Sequence, residues 1–434
     1  MRDYIIFAIV FGALPFVLKR PYIGILLWCW VSYMNPHRFA FGSAYDFPFA
    51  ALIAAATLAG LFLSKEPKSI PWTSLTVMWA VFVLWMSFTT LFALVPADAY
   101  SEWLQTGKIQ IMAFLTVAAI GTRERLNSFI WIIVISLGFF GVKGGIFSLL
   151  TGGEFMIWGP PESLISGNTS MALALVMTLP LMRYLQLNTH NRWLRYGLVV
   201  AMLLSSLSIL VSYSRGAFLA LTAMAIFLVM KSRKRVAILL LTVLVVPLLL
   251  SFMPDKWFER IQTIETYQQD KSALGRINAW WFAYNVAKER PIVGGGYDVF
   301  VPELFQKYAP DPDDFHDAHS IYFEVLGEHG FVGLAMFLIL GLTAFRAGGR
   351  IIRRTRDQPG LEWASDLAAM TQASIIGYAI GGAFLGLAYF DLYYHLIAIL
   401  LITHLLVEGA LQERAESLDQ VETRDPAPGL ANRT

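Results

Sequence analysis

Apolar stretches recur along the whole chain, at roughly 4–18, 21–34, 49–64, 73–94, 109–121, 127–150, 167–187, 195–213, 216–230, 236–252, 321–345, 368–388 and 392–410. A helix needs about 20 mostly apolar residues to cross the hydrocarbon core of a bilayer, so this pattern predicts a chain of transmembrane helices. The first two stretches are joined only by Lys19-Arg20-Pro21. They form either two thin spans or one broken hairpin, which makes twelve to thirteen helices the expectation.

The polar connections sort by charge. Lys19-Arg20, Lys65 with Lys68, Arg123 with Arg125, Arg192 with Arg195, the run Lys231-Ser-Arg-Lys-Arg235 and the stretch from Arg346 to Arg356 all fall on alternate connections. The intervening ones, 35–48, 95–107, 151–166 and the long 253–320, are poor in Lys and Arg or acidic. Basic loops stay in the cytoplasm, so the long connection is expected to face outward. In a bacterium that means the periplasm or cell surface.

Within the long connection, Trp257, Trp280, Trp281, Phe282, Tyr284, Phe300 and Phe305 supply enough aromatic surface to pack on the membrane. Apolar positions over 275–288 recur at helical spacing and predict a partly buried or interfacial helix, stopped by Pro291 and Gly294-Gly295-Gly296. The last residues, with Glu413, Arg414, Glu416, Asp419 and Pro426, have no apolar periodicity and read as a disordered tail. The expected division is 1–252 for the first group of spans, 253–320 for the outer loop, 321–410 for the last spans and 411–434 for the cytoplasmic tail.

Composition agrees with the pattern. Charged residues make up 15% of the chain, against about 25% in soluble domains, and the mean hydropathy is +0.57. A large water-soluble core is excluded on these grounds. The single cysteine, Cys29, lies in an apolar run and leaves no disulfide framework or Cys-based metal site. The first run lacks a small-residue cleavage site and does not read as a cleavable signal peptide.

Four features converge on the outward side. Arg215, in Ser212-Tyr-Ser-Arg-Gly-Ala217, follows cytoplasmic Arg195 by twenty residues, or about 30 Å of helix. It stands at a helix start, where free N–H groups favour an anion, and its planar fork matches phosphate oxygens. An interfacial Arg snorkelling to lipid headgroups fits the same position. Arg276 lies on the loop helix and reads either as a second anion contact or as a solvated surface residue. Lys143, in Gly141-Val-Lys-Gly-Gly145, approaches the same surface, with glycines that permit close approach of backbone or ligand. His319 starts the run His-Ser-Ile-Tyr-Phe-Glu-Val-Leu-Gly-Glu-His-Gly-Phe-Val-Gly and is either a helix cap or a proton-transfer group. Gly327, Gly330 and Gly333 weaken the helix behind it and suggest a short lead-in before the true span. Glu324 and Glu328 are near enough in sequence to orient an imidazole.

The cluster Asp311, Asp313, Asp314, His316 and Asp317 lacks calcium-loop spacing and reads as a solvated acidic loop. No Walker loop, zinc motif or dinucleotide-binding glycine run occurs, so neither a metal nor a soluble cofactor nor a nucleic acid is expected. Cations and a histidine around an outward cavity suit one task. They hold a membrane-anchored anion such as a pyrophosphate while a proton is taken from an attacking hydroxyl.

The pattern His319-Ser320, nine residues, Gly330, two residues, Gly333 resembles the signature of the O-antigen ligase and polymerase superfamily. Ser214-Arg215-Gly216 and the sequence Arg276, Trp280, Pro291, Gly294-Gly-Gly296 are similar to its other conserved turns. Tyr33-Met-Asn-Pro36 and Gly141-Val-Lys-Gly-Gly145 resemble the exosortase-associated subgroup of O-glycosylation ligases. The resemblance implies an all-α polytopic membrane protein of GT-C-like architecture, with about twelve spans and one large, partly helical periplasmic loop. It implies a metal-independent, inverting glycosyltransferase of the bacterial inner membrane, moving a glycan from undecaprenyl pyrophosphate to a lipid A–core hydroxyl at the periplasmic face. His319 would be the general base, Arg215 and Arg276 would hold the donor pyrophosphate, and Ser320, Glu328, Gly330 and Gly333 would support them. Lys143 joins the donor contacts on position alone. An O-antigen polymerase or a protein O-oligosaccharyltransferase would use the same chemistry on another acceptor. A lipid-linked glycan transporter is the different-class alternative, though paired broken helices near the midplane are not evident in the sequence.

Overall fold

A computed structural model describes residues 2–231 and 271–424. The apolar stretch 236–252, the basic run beyond Lys231, the first part of the long connection with Trp257, and the tail from 425 onward lie outside the described residues. The other twelve apolar stretches are all helical. In chain order the helices are α1 (Arg2–Lys19), α2 (Pro21–Met34), α3 (Phe49–Leu63), α4 (Ser74–Thr90), α5 (Pro96–Ala119), α6 (Arg123–Thr151), α7 (Asn168–Asn188), α8 (Arg192–Val211), α9 (Arg215–Lys231), α10 (Lys271–Glu289), α11 (Pro302–Tyr308), α12 (Ile321–Thr355), α13 (Glu362–Gly381) and α14 (Asp391–Arg424). No strand occurs among the described residues. Six helices, α6, α7, α8, α12, α13 and α14, are long and apolar enough to cross a membrane, and α2, α3 and α4 are shorter apolar helices. The protein is an all-α polytopic membrane protein.

Local chemistry sets the helix ends. Pro21 occupies the first turn of α2 and Arg20 before it is non-helical, so α1 and α2 are two helices packed as a hairpin. Thr73, Thr122 and Asn191 cap α4, α6 and α8 by accepting a backbone N–H of the first turn. The final helix continues through Arg424, so the segment after residue 410 begins as helix and not as the structureless tail that its polarity suggested. Helical propensity of its Glu, Gln, Arg and Leu residues, carried by an already formed helix, outweighs the loss of an apolar face.

Two sets of connections cross-link, each within itself. Arg125 pairs with Glu66 at 2.7 Å, Arg354 with Glu408 at 2.8 Å, and the Arg123 guanidinium lies over the Trp363 ring. These join the basic connections at one end of the bundle. At the other end Arg38 pairs with Glu162 at 2.7 Å, Tyr213 Oη donates to Gly153 O at 2.9 Å, and Leu94 N donates to Gly295 O at 2.7 Å. Between the two ends many large apolar side chains stay exposed, among them Phe11, Leu84, Ile135 and Leu338. An apolar belt of this kind is what a bilayer covers.

α7 is the most deeply buried of the six long apolar helices, packed by α6, α8 and α13. α12 leans on α4, α10, α13 and α14 and is broken at Gly330 (φ 70°, ψ −173°). The expected lead-in before the true span is therefore present, as Ile321–His329. The break frees backbone groups that a membrane cannot solvate, and the glycine strip after α10 takes them. Gly295 N donates to Gly327 O and Gly296 N to Glu328 O, each at 2.8 Å, while Phe331 N donates to Pro291 O at 2.9 Å. A Cβ at Gly330 would come 2.7 Å from Pro291 O, and one at Gly294 would come 2.5 Å from Gly330 N.

Only glycine is at ease with the dihedrals of Gly330. Gly330→Ala is expected to destabilise the protein by about 1–3 kcal/mol from the dihedrals alone, and more from the clash. Gly107→Ala, which meets open space, should change the thermal midpoint in detergent little. Equal midpoints for the two variants would remove the strained break from the account.

Candidate active site

The loop that carries His319 is laid along α10 by two side chains. Asn278 Nδ2 donates to Asp311 O at 2.7 Å and Asp314 O at 2.9 Å, and its Oδ1 accepts from Asp311 N at 2.9 Å. Trp280 Nε1 donates to Ala318 O at 2.8 Å, and its indole stacks on Phe323 with centroids 4.9 Å apart. Gly275 leaves room for the His316 ring, which would otherwise meet a Cβ at 2.4 Å. Beneath them Ala279, Phe282, Ala283 and Val286 pack on Phe300, Phe305 and Tyr308. The helix expected over 275–288 is real, but its buried face is this one. Trp281 and Tyr284 point away and remain exposed.

Held by Trp280 on one side and the start of α12 on the other, His319 adopts a left-handed backbone (φ 42°). A non-glycine residue does so at a cost of about 1–2 kcal/mol, so the surrounding contacts dictate its position. It is not the cap of α12. Ser320 holds that position and is buried, yet its side chain makes no cap bond and its Oγ has no hydrogen-bond partner among the described residues. The half-buried His319 imidazole has its pKa lowered from 6.5, first by burial and then by Arg276, with Asp317 pulling upward and His316 adding a small downward push. The ring is thus mainly neutral near pH 7 and able to accept a proton.

Arg215 is the first residue of α9, presented by a tight turn. Ser212 Oγ accepts from Ser214 N and Ser214 Oγ from Ala217 N, each at 3.2 Å, and Tyr213 is left-handed (φ 57°). A Cβ on Gly216 would come 3.0 Å from Phe384 Cβ, and one on Gly382 would come 2.6 Å from Ile321 Cδ1. Hence the Arg215 turn and the start of α12 press on one short connection, 381–384. Arg215, Arg276 and His319 are gathered at the same end of the bundle, although some sixty residues of chain separate Arg215 from Arg276.

Three expected participants sit elsewhere. Glu328 does not orient His319. Its Oε1 accepts from Asp298 N at 3.0 Å and its Oε2 binds Tyr389 Oη, so both oxygens serve the helix break. Glu324 likewise accepts from Ala388 N at 3.0 Å. Next to Glu328, His329 is fully buried, its Nδ1 2.7 Å from Thr89 Oγ1 and its Nε2 2.9 Å from Tyr389 Oη. This buried set was missed in the sequence, since only the tertiary fold brings Thr89 and Tyr389 together. Lys143 lies 5.9 Å from the Phe39 ring centroid, beside an apolar groove lined by Trp131, Met182 and Leu198. Its flanking glycines admit α8, with a Cβ at Gly145 falling 2.3 Å from Leu204 O, so they serve helix packing.

Residues 200–338 match the O-antigen ligase family, and residues 1–190 match a family of unknown function (DUF5935). The first match contains Arg215, Arg276, His319, Gly330 and Gly333. The match over residues 200–338 supports the O-antigen ligase superfamily and, at family level, a function of the O-antigen ligase and polymerase type. No curated protein matches the chain.

The electrostatics can be read directly by titrating His319 with NMR of histidine-labelled protein. Its pKa should lie below 6.5, rise in Arg276→Gln and fall in Asp317→Asn. An unchanged value in both variants would separate His319 from these neighbours.

Proposed function

We propose that this protein is a glycosyltransferase that moves a glycan from undecaprenyl pyrophosphate to a lipid A–core hydroxyl, at the periplasmic face of the inner membrane. The observation that carries the reading is a neutral-leaning imidazole beside Arg276, with the Arg215 turn packed on the same connection. His319 takes the proton of the acceptor hydroxyl as that oxygen attacks the anomeric carbon. The bond between that carbon and the pyrophosphate oxygen breaks, and its electron pair leaves with undecaprenyl pyrophosphate. Arg215 and Arg276 stabilise the charge that develops there, where low dielectric strengthens the interaction. Attack opposite the leaving group inverts configuration, and no covalent enzyme intermediate is required. The same residues would serve a polymerase or a protein glycosylating enzyme, with a different hydroxyl as nucleophile.

Reconstitution with a lipid-linked glycan, offering lipid A–core and protein acceptors side by side, tests the reading. His319→Ala should lower turnover by about 10²–10⁴-fold, the usual worth of a general base. Arg215→Ala and Arg276→Ala should each raise the donor KM or lower kcat by about 10²-fold or more, and Lys143→Ala should do less. Transfer that survives His319→Ala unchanged would rule out the base.

The pH profile gives an independent check. The base works only when unprotonated, and its pKa lies below 6.5. The rate should therefore fall on acidification along a limb centred below pH 6.5, and Arg276→Gln should move that limb upward. Chelation should leave transfer intact. Activity lost to a chelator and restored by a divalent ion would bring the Asp311–Asp317 cluster into the mechanism.

A further inference from the structure

The segment Tyr33-Met-Asn-Pro36 has no part in the transfer chemistry, yet the structure builds a cavity around it. α2 is capped at its C-terminus by Asn35, which is left-handed (φ 47°) and buried. Tyr33 Oη is anchored 2.5 Å from His395 Nδ1 on α14, and Asn35 Nδ2 donates to Ser32 O at 2.6 Å. The chain then turns through Pro36–Phe39. The result is a cavity of about 430 Å³ on the same side of the bundle as His319, walled by Asn35, His37, Gln105, Ser163 and Asp391, with Phe390 as an apolar face. That volume is within the roughly 300–1,000 Å³ of small-molecule sites. Phe390 and Asp391 close the connection whose other end, at 381–384, carries the Arg215 turn and the start of α12.

The chemistry of the walls selects among ligands. Asp391 is buried and uses one oxygen on Ser32 Oγ at 2.7 Å. His37 Nδ1 is buried with no hydrogen-bond partner among the described residues. Glu162 at the rim is already paired with Arg38 at 2.7 Å, and burial together with Arg38 holds the His37 pKa down to about 4. The cavity thus keeps a carboxylate and no uncompensated cation, which disfavours phosphate. Amide, hydroxyl, imidazole and carboxylate groups side by side match vicinal hydroxyls, each able to donate and accept. An apolar wall suits the C–H face of a sugar ring.

We propose that this cavity is a sugar-binding subsite, which seats one ring of a glycan substrate beside the transfer centre. The assignment of that ring to a substrate rests on the transferase reading, whereas sugar binding itself does not. The test uses the purified full-length chain in detergent, with methyl hexosides and lipid-free core oligosaccharide as probes. Binding is followed by saturation-transfer NMR, and transfer is measured in parallel. Gln105→Trp, which fills the cavity from an exposed position, and Asp391→Asn, which removes the carboxylate, should each weaken binding on the order of tenfold. Thermal midpoints identify any variant that has lost its fold, and the exposed Gln105 site keeps the test open if Asp391→Asn proves unstable. His319→Ala should lose transfer and keep sugar binding. Failure of every probe to bind, binding unaltered in a folded Gln105→Trp protein, or displacement of the sugar by inorganic phosphate would each overturn the proposal. A wild-type chain that binds sugar in this cavity and transfers no glycan would instead overturn the transferase reading.

Discussion

A broken helix inside a membrane protein must satisfy the backbone groups that the break releases, and this constraint organises the end of the bundle that carries the candidate site. At Gly330 the continuous ladder of α12 stops. The carbonyls of Gly327 and Glu328 turn to the amides of Gly295 and Gly296, and the amide of Phe331 turns to the carbonyl of Pro291. Each such group left bare in hydrocarbon would cost several kcal/mol. The glycine strip is therefore as necessary to the lead-in helix as the lead-in helix is to His319. Tyr389, Glu328, His329 and Thr89 then lock the break from the opposite flank by side-chain bonds.

From this joint the rest of the site follows. The lead-in carries Phe323 against Trp280 and Ile321 against the 381–384 connection. α10 thereby holds Arg276 close enough to influence the His319 proton affinity. The arginine does two things through one charge. It favours an anion nearby and adds to burial in lowering the proton affinity of the imidazole, and both are what base-assisted attack on a pyrophosphate-linked carbon would ask of a site. The left-handed turns at Tyr213 and His319 place local strain beside the proposed donor contact Arg215 and at the proposed base.

Much of this was legible in one dimension. Apolar period and loop charge predicted every described span, because a bilayer imposes the same length and charge rule on each segment separately. The lead-in at the start of α12 was readable from Gly327, Gly330 and Gly333, since glycine spacing reports backbone strain without reference to partners. Reasoning from sequence neighbours failed where a partner had to be chosen. Glu328 is nine residues from His319 but bonds to Asp298 and Tyr389. The glycines flanking Lys143 could equally have welcomed a ligand, and it is α8 that fills the space. Aromatic residues of α10 were all plausible interface groups, and the fold buries Phe282 while leaving Trp281 exposed.

The sequence by itself thus determined the membrane class and the sorting of connections into two faces, and it put forward Arg215, Arg276 and His319 as candidates. These depend on composition and spacing, which are properties of single segments. Only the tertiary structure decided what those residues meet. The joint at Gly330 needs amides from before the acidic loop, the buried histidine needs Thr89 and Tyr389, and the cavity near Asn35 needs Asp391 from the far end of the chain. Each is a contact between distant segments, fixed by how the helices pack and not by any pattern within one of them.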